Sequence, residues 1–254
     1  MINNRGTAVS AHGRSKGRIT MLESKEITKV YGRKTAVDHV SLKLTPGFIY
    51  AMLGPNGSGK TTWMKMAAGL VKPTSGGMYF DGRPLDIDSR RRIAYMSTEP
   101  YFYTWMKVSD VGKYYQDFFE DFSMEQYHLL LDRMQLTPDL KTSSLSSGMM
   151  AKLKIAVTMA RDSDVIMLDE PLNGIDLLAR DQIMQSIVER VSEKRILLIS
   201  SHLVEELETV ADYAIFMKES RLVDFRELEE LRSSEGISVT DKYRQIYGTN
   251  GGEA

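Results

Sequence analysis

Cysteine is absent from the 254 residues, which excludes disulfides, thiolate-metal centres and cysteine nucleophiles and makes the cytoplasm the natural compartment. Long apolar runs are also missing. Phe48 to Leu53 and Val165 to Leu168 are strand-sized, far below the roughly 20 residues that span a bilayer, so any membrane role has to come through a partner. Residues 1–20 contain Arg5, Arg14, Lys16 and Arg18 but no acidic side chain and no apolar signal core. They read as a disordered basic extension, and Met21, which opens the folded-looking sequence, is expected to be the true start. Without those four charges the chain has 29 basic against 34 acidic residues, a charge of −5. An acidic body argues against nucleic acid as the main ligand.

Composition is otherwise that of an ordinary globular protein, with 42% hydrophobic and 26% charged residues. The length suits one large α/β domain with a full core, or two small ones. Strand-like patterning runs from Met21 to Leu53 with turns at Gly32-Arg33 and Pro46-Gly47, and Tyr79-Phe80 before Asp81-Gly82 adds a further strand and turn. After the short run Ile93 to Met96 the character changes, with ten of the 22 aromatic residues falling between Tyr101 and Tyr127. Tyr114, Tyr115, Phe118, Phe119 and Phe122 have helical spacing and read as the core of an inserted helical region over about 99–160. The strands Val165 to Leu168 and Ile196 to Ser200 flank a helix whose apolar stripe is Ile183, Met184, Ile187, Val188 and Val191. That β-α-β order predicts a mainly parallel sheet. Residues 226–254 read as a charged, helical tail ending in a loose glycine-rich segment.

Gly54-Pro55-Asn56-Gly57-Ser58-Gly59-Lys60-Thr61 fits the phosphate-binding loop pattern G-x-x-x-x-G-K-[ST] at every fixed position, with an apolar strand before it and a helix-compatible run from Thr62 after it. Glycines let successive N–H groups turn inward toward phosphate oxygens, and the helix N-terminus adds its partial positive charge. The motif predicts a nucleoside triphosphate with Mg²⁺, with Lys60 reaching the β- and γ-phosphates and Thr61 ligating the metal. Val165 to Leu168 then delivers Asp169 and Glu170 at a strand end, suited to holding Mg²⁺ and to polarising an attacking water.

Three further runs carry a family resemblance. Leu145-Ser146-Ser147-Gly148-Met149 leads into Lys152 to Arg161; Asp169-Glu170-Pro171 continues to Asp176; Ile199-Ser200-Ser201-His202 follows a strand. In this order they resemble the signature, Walker B, D-loop and H-loop of ABC-type ATPases, over roughly 21–225. The resemblance implies a P-loop (RecA-like) α/β core with an antiparallel portion near the N-terminus and an inserted helical subdomain. It further implies that His202 contacts the γ-phosphate, that Tyr31 stacks on adenine, and that Ser146 and Gly148 meet the nucleotide of a second subunit in a head-to-tail dimer. A separate transmembrane permease is implied as partner, docking near Tyr101 to Trp105 and holding the chain at the cytoplasmic membrane face. Within the family the sequence is most similar to bacterial export-type ATPases of the bacitracin-resistance or antimicrobial-peptide class.

The pattern departs in two places. Where the family carries a glutamine after the strand Ile93 to Met96, this chain has Ser97-Thr98-Glu99-Pro100, so Thr98 or Glu99 is expected to offer oxygen to metal or water. The signature has Ser147 and Met149 where glycine and glutamine are common. A non-transport ABC ATPase acting on ribosomes or DNA remains an alternative, though such proteins usually carry paired cassettes or long coiled coils. A P-loop kinase or GTPase accounts for Gly54 to Thr61 and Asp169 but not for Leu145 to Gly148, Asp176 or His202.

Overall fold

The computed structural model describes residues 21–99, 101–189 and 192–248. The expected disorder of residues 1–20 and the place of Val191 in the helical stripe lie outside these. The chain opens with β1 (Leu22–Tyr31) and β2 (Lys34–Leu44), an antiparallel hairpin, followed by β3 (Ile49–Leu53) and α1 (Lys60–Ala67). β4 (Ser75–Phe80) and the short β5 (Arg83–Pro84) complete a four-stranded antiparallel sheet in the order β2-β1-β4-β5. After α2 (Ile87–Arg91) and β6 (Ile93–Met96) come α3 (Val108–Phe118), α4 (Met124–Arg133) and α5 (Ser147–Met159). The remaining elements are β7 (Val165–Asp169), α6 (Leu177–Val188), β8 (Ile196–Ser201), α7 (Val204–Glu208), β9 (Tyr213–Lys218), β10 (Arg221–Glu227), α8 (Leu228–Glu230) and α9 (Val239–Tyr247).

The second sheet has six strands in the order β10-β9-β3-β8-β7-β6, all parallel except β10, which pairs antiparallel with β9 across a turn at Glu219 and Ser220. Its apolar runs lack polar alternation because both faces are covered. Ile49, Ala51 and Leu53 of β3 face one core, shared with α3, α4, α5 and α6. Tyr50 and Met52 face the other, shared with Trp63, Met64 and Met66 of α1 and with the antiparallel sheet.

The parallel register decides where the chemistry falls. Leu53 pairs with Ser201 and Asp169 with Ser200, so β3, β7 and β8 end together. The segments that leave them, 54–59, 170–176 and 202–203, therefore emerge at one edge, the carboxyl end at which open α/β sheets bind ligands.

The aromatic run departs from its sequence expectation. Helix α3 ends at Phe118, and Phe119 is already extended. Phe122 and Tyr127 are core residues, but Phe118 is 66% exposed and Tyr114 37%. Tyr114 packs on Phe118 and edge-on to Tyr103, which stacks on Trp105, itself 66% exposed. Tyr114 and Phe118, expected in the helical core, thus join Tyr103 and Trp105 in one outward-facing aromatic surface.

Candidate functional site

The floor of the site is the turn from β3 into α1. At Gly54, φ is +151°, and a Cβ there would stand 2.3 Å from the Met217 carbonyl and 2.8 Å from Ser58 Oγ, so only glycine fits. Helix α1 begins at Lys60 with Gly59 as its N-cap, no side-chain cap and no acidic residue in its first turn, which leaves its leading N–H groups directed into the loop. Lys34, Ala36, Asn56 to Thr62, Thr98, Glu170 and Asn173 line a pocket of about 320 Å³ around this turn. The Ser58 hydroxyl, 3% exposed, has no hydrogen-bond partner among the described residues. An orphaned buried hydroxyl beside a cradle of N–H groups fits a phosphate chain.

The Lys60 ammonium folds back over the loop, donating to the Gly54 carbonyl at 2.6 Å and to that of Pro55 at 3.3 Å. Burial lowers its pKa, and the charge of Glu170 acts against that shift. Asp169 is fully buried at the end of β7 and accepts from Ser200 Oγ at 2.6 Å and from the Tyr95 hydroxyl at 3.2 Å. These two donors hold its carboxylate in one orientation. Burial, together with the negative charge of Asp169, pushes the Tyr95 hydroxyl well above the usual range, which keeps it a donor.

Glu170 follows in the left-handed region, φ +49°. Its N–H donates to Ser200 Oγ at 3.0 Å, and its carboxylate spans the site. One oxygen is 2.8 Å from His202 Nδ1, and the other is 3.5 Å from Lys60 Nζ, an ion-pair distance too long for a strong hydrogen bond. Glu170 thereby links Lys60, which lines the pocket with it, to His202, which lies outside the pocket lining. A carboxylate so placed can accept a proton from a water lying against a bound phosphate, and the imidazole can stabilise the charge that results.

The alternatives at the missing glutamine separate. Thr98 lines the phosphate pocket. Glu99 turns away and pairs with Lys65 at 3.0 Å, lining a different groove of about 430 Å³ with Leu70, Tyr95, Tyr101 and Tyr115. Tyr31 is 49% exposed at the end of β1, opposite Lys34 of the pocket, with the Lys29 ammonium 4.9 Å from its ring centroid. Thr61 and Thr62 lie in the pocket, but Ser146 and Gly148 do not. Ser146 caps α5 by accepting from Met149 N–H at 3.2 Å, while the N–H groups of Ser147 and Gly148 ahead of it have no helical acceptors. Gly148 presses against the segment after β7: a Cβ there would lie 2.7 Å from the Gly174 carbonyl.

Several residues of the site were not singled out by their sequence. Tyr95 and Ser200 lie inside the quoted strand runs, as polar groups within otherwise apolar segments. Lys34 and Asn173 carry none.

A P-loop beneath a strand-borne Asp-Glu pair and a histidine defines a nucleoside-triphosphatase. The sequence profile of the ABC transporter family matches residues 37–173. Over 205 residues, 80% of this chain and 89% of the relative, the sequence is 32% identical to the lantibiotic transport ATP-binding protein SrtF of Streptococcus pyogenes. Over 233 residues, 88% of this chain and 77% of the relative, it is 29% identical to the Nod factor export ATP-binding protein I of Cupriavidus metallidurans. Among solved structures, an ATP-binding subunit of an ABC transporter superposes with a TM-score of 0.79 at 24% identity, covering 89% of this chain and 99% of the other. The chain belongs to the ABC transporter family, as an ATP-binding subunit and ATPase.

Proposed function

We propose that the chain powers an exporter by binding and hydrolysing ATP in a head-to-tail dimer, two nucleotides lying between the P-loop of one subunit and Ser146 to Gly148 of the other. One observation carries this reading: α5 presents free N–H groups at a serine-capped start, an anion site, yet no residue of 145–149 lines the phosphate pocket of its own chain. Leu177, 75% exposed directly after Asp176, adds apolar surface beside it. The kinship with proteins named for lantibiotic transport and Nod factor export supports the outward direction.

In this reading Lys60 binds the β- and γ-phosphates, Tyr31 stacks on the adenine, and Glu170 takes the proton of the attacking water. His202, held by Glu170 through Nδ1, keeps Nε2 for the γ-phosphate. Thr61 and Asp169 are the residues to hold Mg²⁺, and an oriented buried carboxylate with a neighbouring hydroxyl fits an ion that takes its other ligands from phosphates and water. When bound, Mg²⁺ neutralises charge building on the phosphates. Thr98, not Glu99, stands where it can touch the γ-phosphate or the water.

The permease is assigned to the groove of about 430 Å³ and the adjoining aromatic surface of Tyr103, Trp105, Tyr114 and Phe118. Tyrosine and tryptophan so exposed are the residue types enriched in interface centres. Because no helix among the described residues is long and apolar enough to cross a membrane, the place of the chain at the cytoplasmic face depends on that contact.

The dimer is tested by sedimentation of the Glu170→Gln protein with and without ATP: a shift from monomer to dimer with ATP is expected, and a persistent monomer refutes the sandwich for the isolated subunit. The permease surface is tested by co-purification from detergent extracts. Trp105→Ala should lose the membrane protein while folding is kept, and undiminished recovery counts against the contact.

A further inference from the structure

The signature helix α5 carries a lysine with no place in the chemistry described above. Lys154 lies eight residues after Ser146, about 12 Å along the helix, between the buried apolar residues Leu153 and Ile155, and is itself only 5% exposed. Its ammonium crosses to the segment leaving β6, donating to the Thr98 carbonyl at 2.7 Å and to the Glu99 carbonyl at 3.3 Å, with the Tyr101 ring centroid 5.6 Å away. Both hydrogen bonds go to main chain. The nearest opposing charges, Asp169 and Glu99, offset the cost of burial only partly, and the pKa of the group is lowered. A buried ammonium without a close ion pair is expensive.

What the ammonium holds is the backbone of Thr98, whose side chain lines the phosphate pocket. Threonine is two atoms shorter than the glutamine usual at this place. Its reach therefore depends on where its main chain stands, and two adjacent carbonyls gripped by one ammonium set that position. The grip comes from the helix whose N-terminus bears Ser146 and Gly148.

We propose that Lys154 is a positioning residue that locks the Thr98–Glu99 segment to the signature helix, so that contact of a γ-phosphate with Thr98 and the placement of Ser146 to Gly148 are one event. The proposal deepens the functional reading above and rests on it for the role of Ser146. The lock itself lies within a single subunit. It makes the protein distinguish ATP from ADP through the backbone of 98–99 and carries that distinction into α5.

The test compares ATP and ADP affinities by titration calorimetry in the Glu170→Gln protein, with and without Lys154→Met, at concentrations where the chain is monomeric. Lys154→Met should weaken ATP about tenfold and leave ADP within about twofold, and Lys154→Arg should restore most of the preference. Equal weakening of both nucleotides, or no change, overturns the proposal. If Lys154→Met does not fold, hydrogen exchange in the monomeric Glu170→Gln protein decides: ATP, but not ADP, should slow exchange in 97–99 and at the start of α5 together. Slowing in 97–99 alone refutes the lock. A Glu170→Gln protein that fails to dimerise with ATP refutes the sandwich and leaves both of these readouts standing.

Discussion

Glu170 and His202 meet at 2.8 Å, Oε2 against Nδ1, although 32 residues separate them. The contact exists because β7 and β8 are parallel neighbours in register, Asp169 beside Ser200, so that the first residue leaving one strand meets the first residue leaving the other. It also fixes the imidazole: the nitrogen facing Glu170 is committed, and Nε2 is the one left for a ligand.

Glu170→Gln keeps the shape of this side chain and removes its capacity to take a proton. Steady-state phosphate release should fall about 10²- to 10⁴-fold, while equilibrium ATP binding stays close to the parent. Undiminished release refutes the assignment of Glu170.

Proton linkage at Lys60 has a defined sign. Burial lowers its pKa below 10.5, so the fold works against the ammonium form. That cost is present in full below the folded-state pKa and fades as pH rises toward 10.5, and a bound polyphosphate reverses it by favouring the charge. Nucleotide binding in that alkaline window should therefore take up protons. Calorimetry in two buffers of different ionisation enthalpy reads the uptake, and Lys60→Met should abolish it.

Gly148→Ala places a methyl group 2.7 Å from the Gly174 carbonyl, which forces α5 and the segment before Asp176 apart. Overpacking of this kind costs about 1–3 kcal/mol. Turnover and ATP-driven dimerisation should fall well before ATP binding does. A fully active Gly148→Ala protein would show that the close approach is not needed.

Tyr247 donates its hydroxyl to the Met217 carbonyl at 2.9 Å and the Leu53 carbonyl at 3.3 Å, tying α9 to the last residue before the P-loop. Tyr247→Phe should lower stability by about 1 kcal/mol, read from the urea midpoint, and weaken ATP binding. Unchanged affinity would limit α9 to a structural role.

Most of the phosphate site was legible because its information is local. A P-loop is one continuous turn, and Gly54 to Thr61 specify it through glycine conformations and helix-start amides that no distant residue has to supply. The unbroken apolar runs of β3, β7 and β8 likewise announce strands buried on both faces. The choice between Thr98 and Glu99 was not legible, since both are polar and adjacent; Lys65 decides it by drawing Glu99 outward. Periodicity also misassigned Tyr114 and Phe118, because helical spacing marks a shared face without saying whether that face meets core or solvent.

The sequence by itself determined the ligand class and the strand-loop-helix run that carries it, which follow from short-range pattern, while His202 was singled out through the family resemblance. Only the tertiary structure decided which of these groups touch. The parallel register joins Glu170 to His202, α9 reaches back to Leu53, and α5 sends Lys154 to the Thr98 backbone. Such contacts depend on how separate elements pack, and packing is set by the whole core rather than by any one segment.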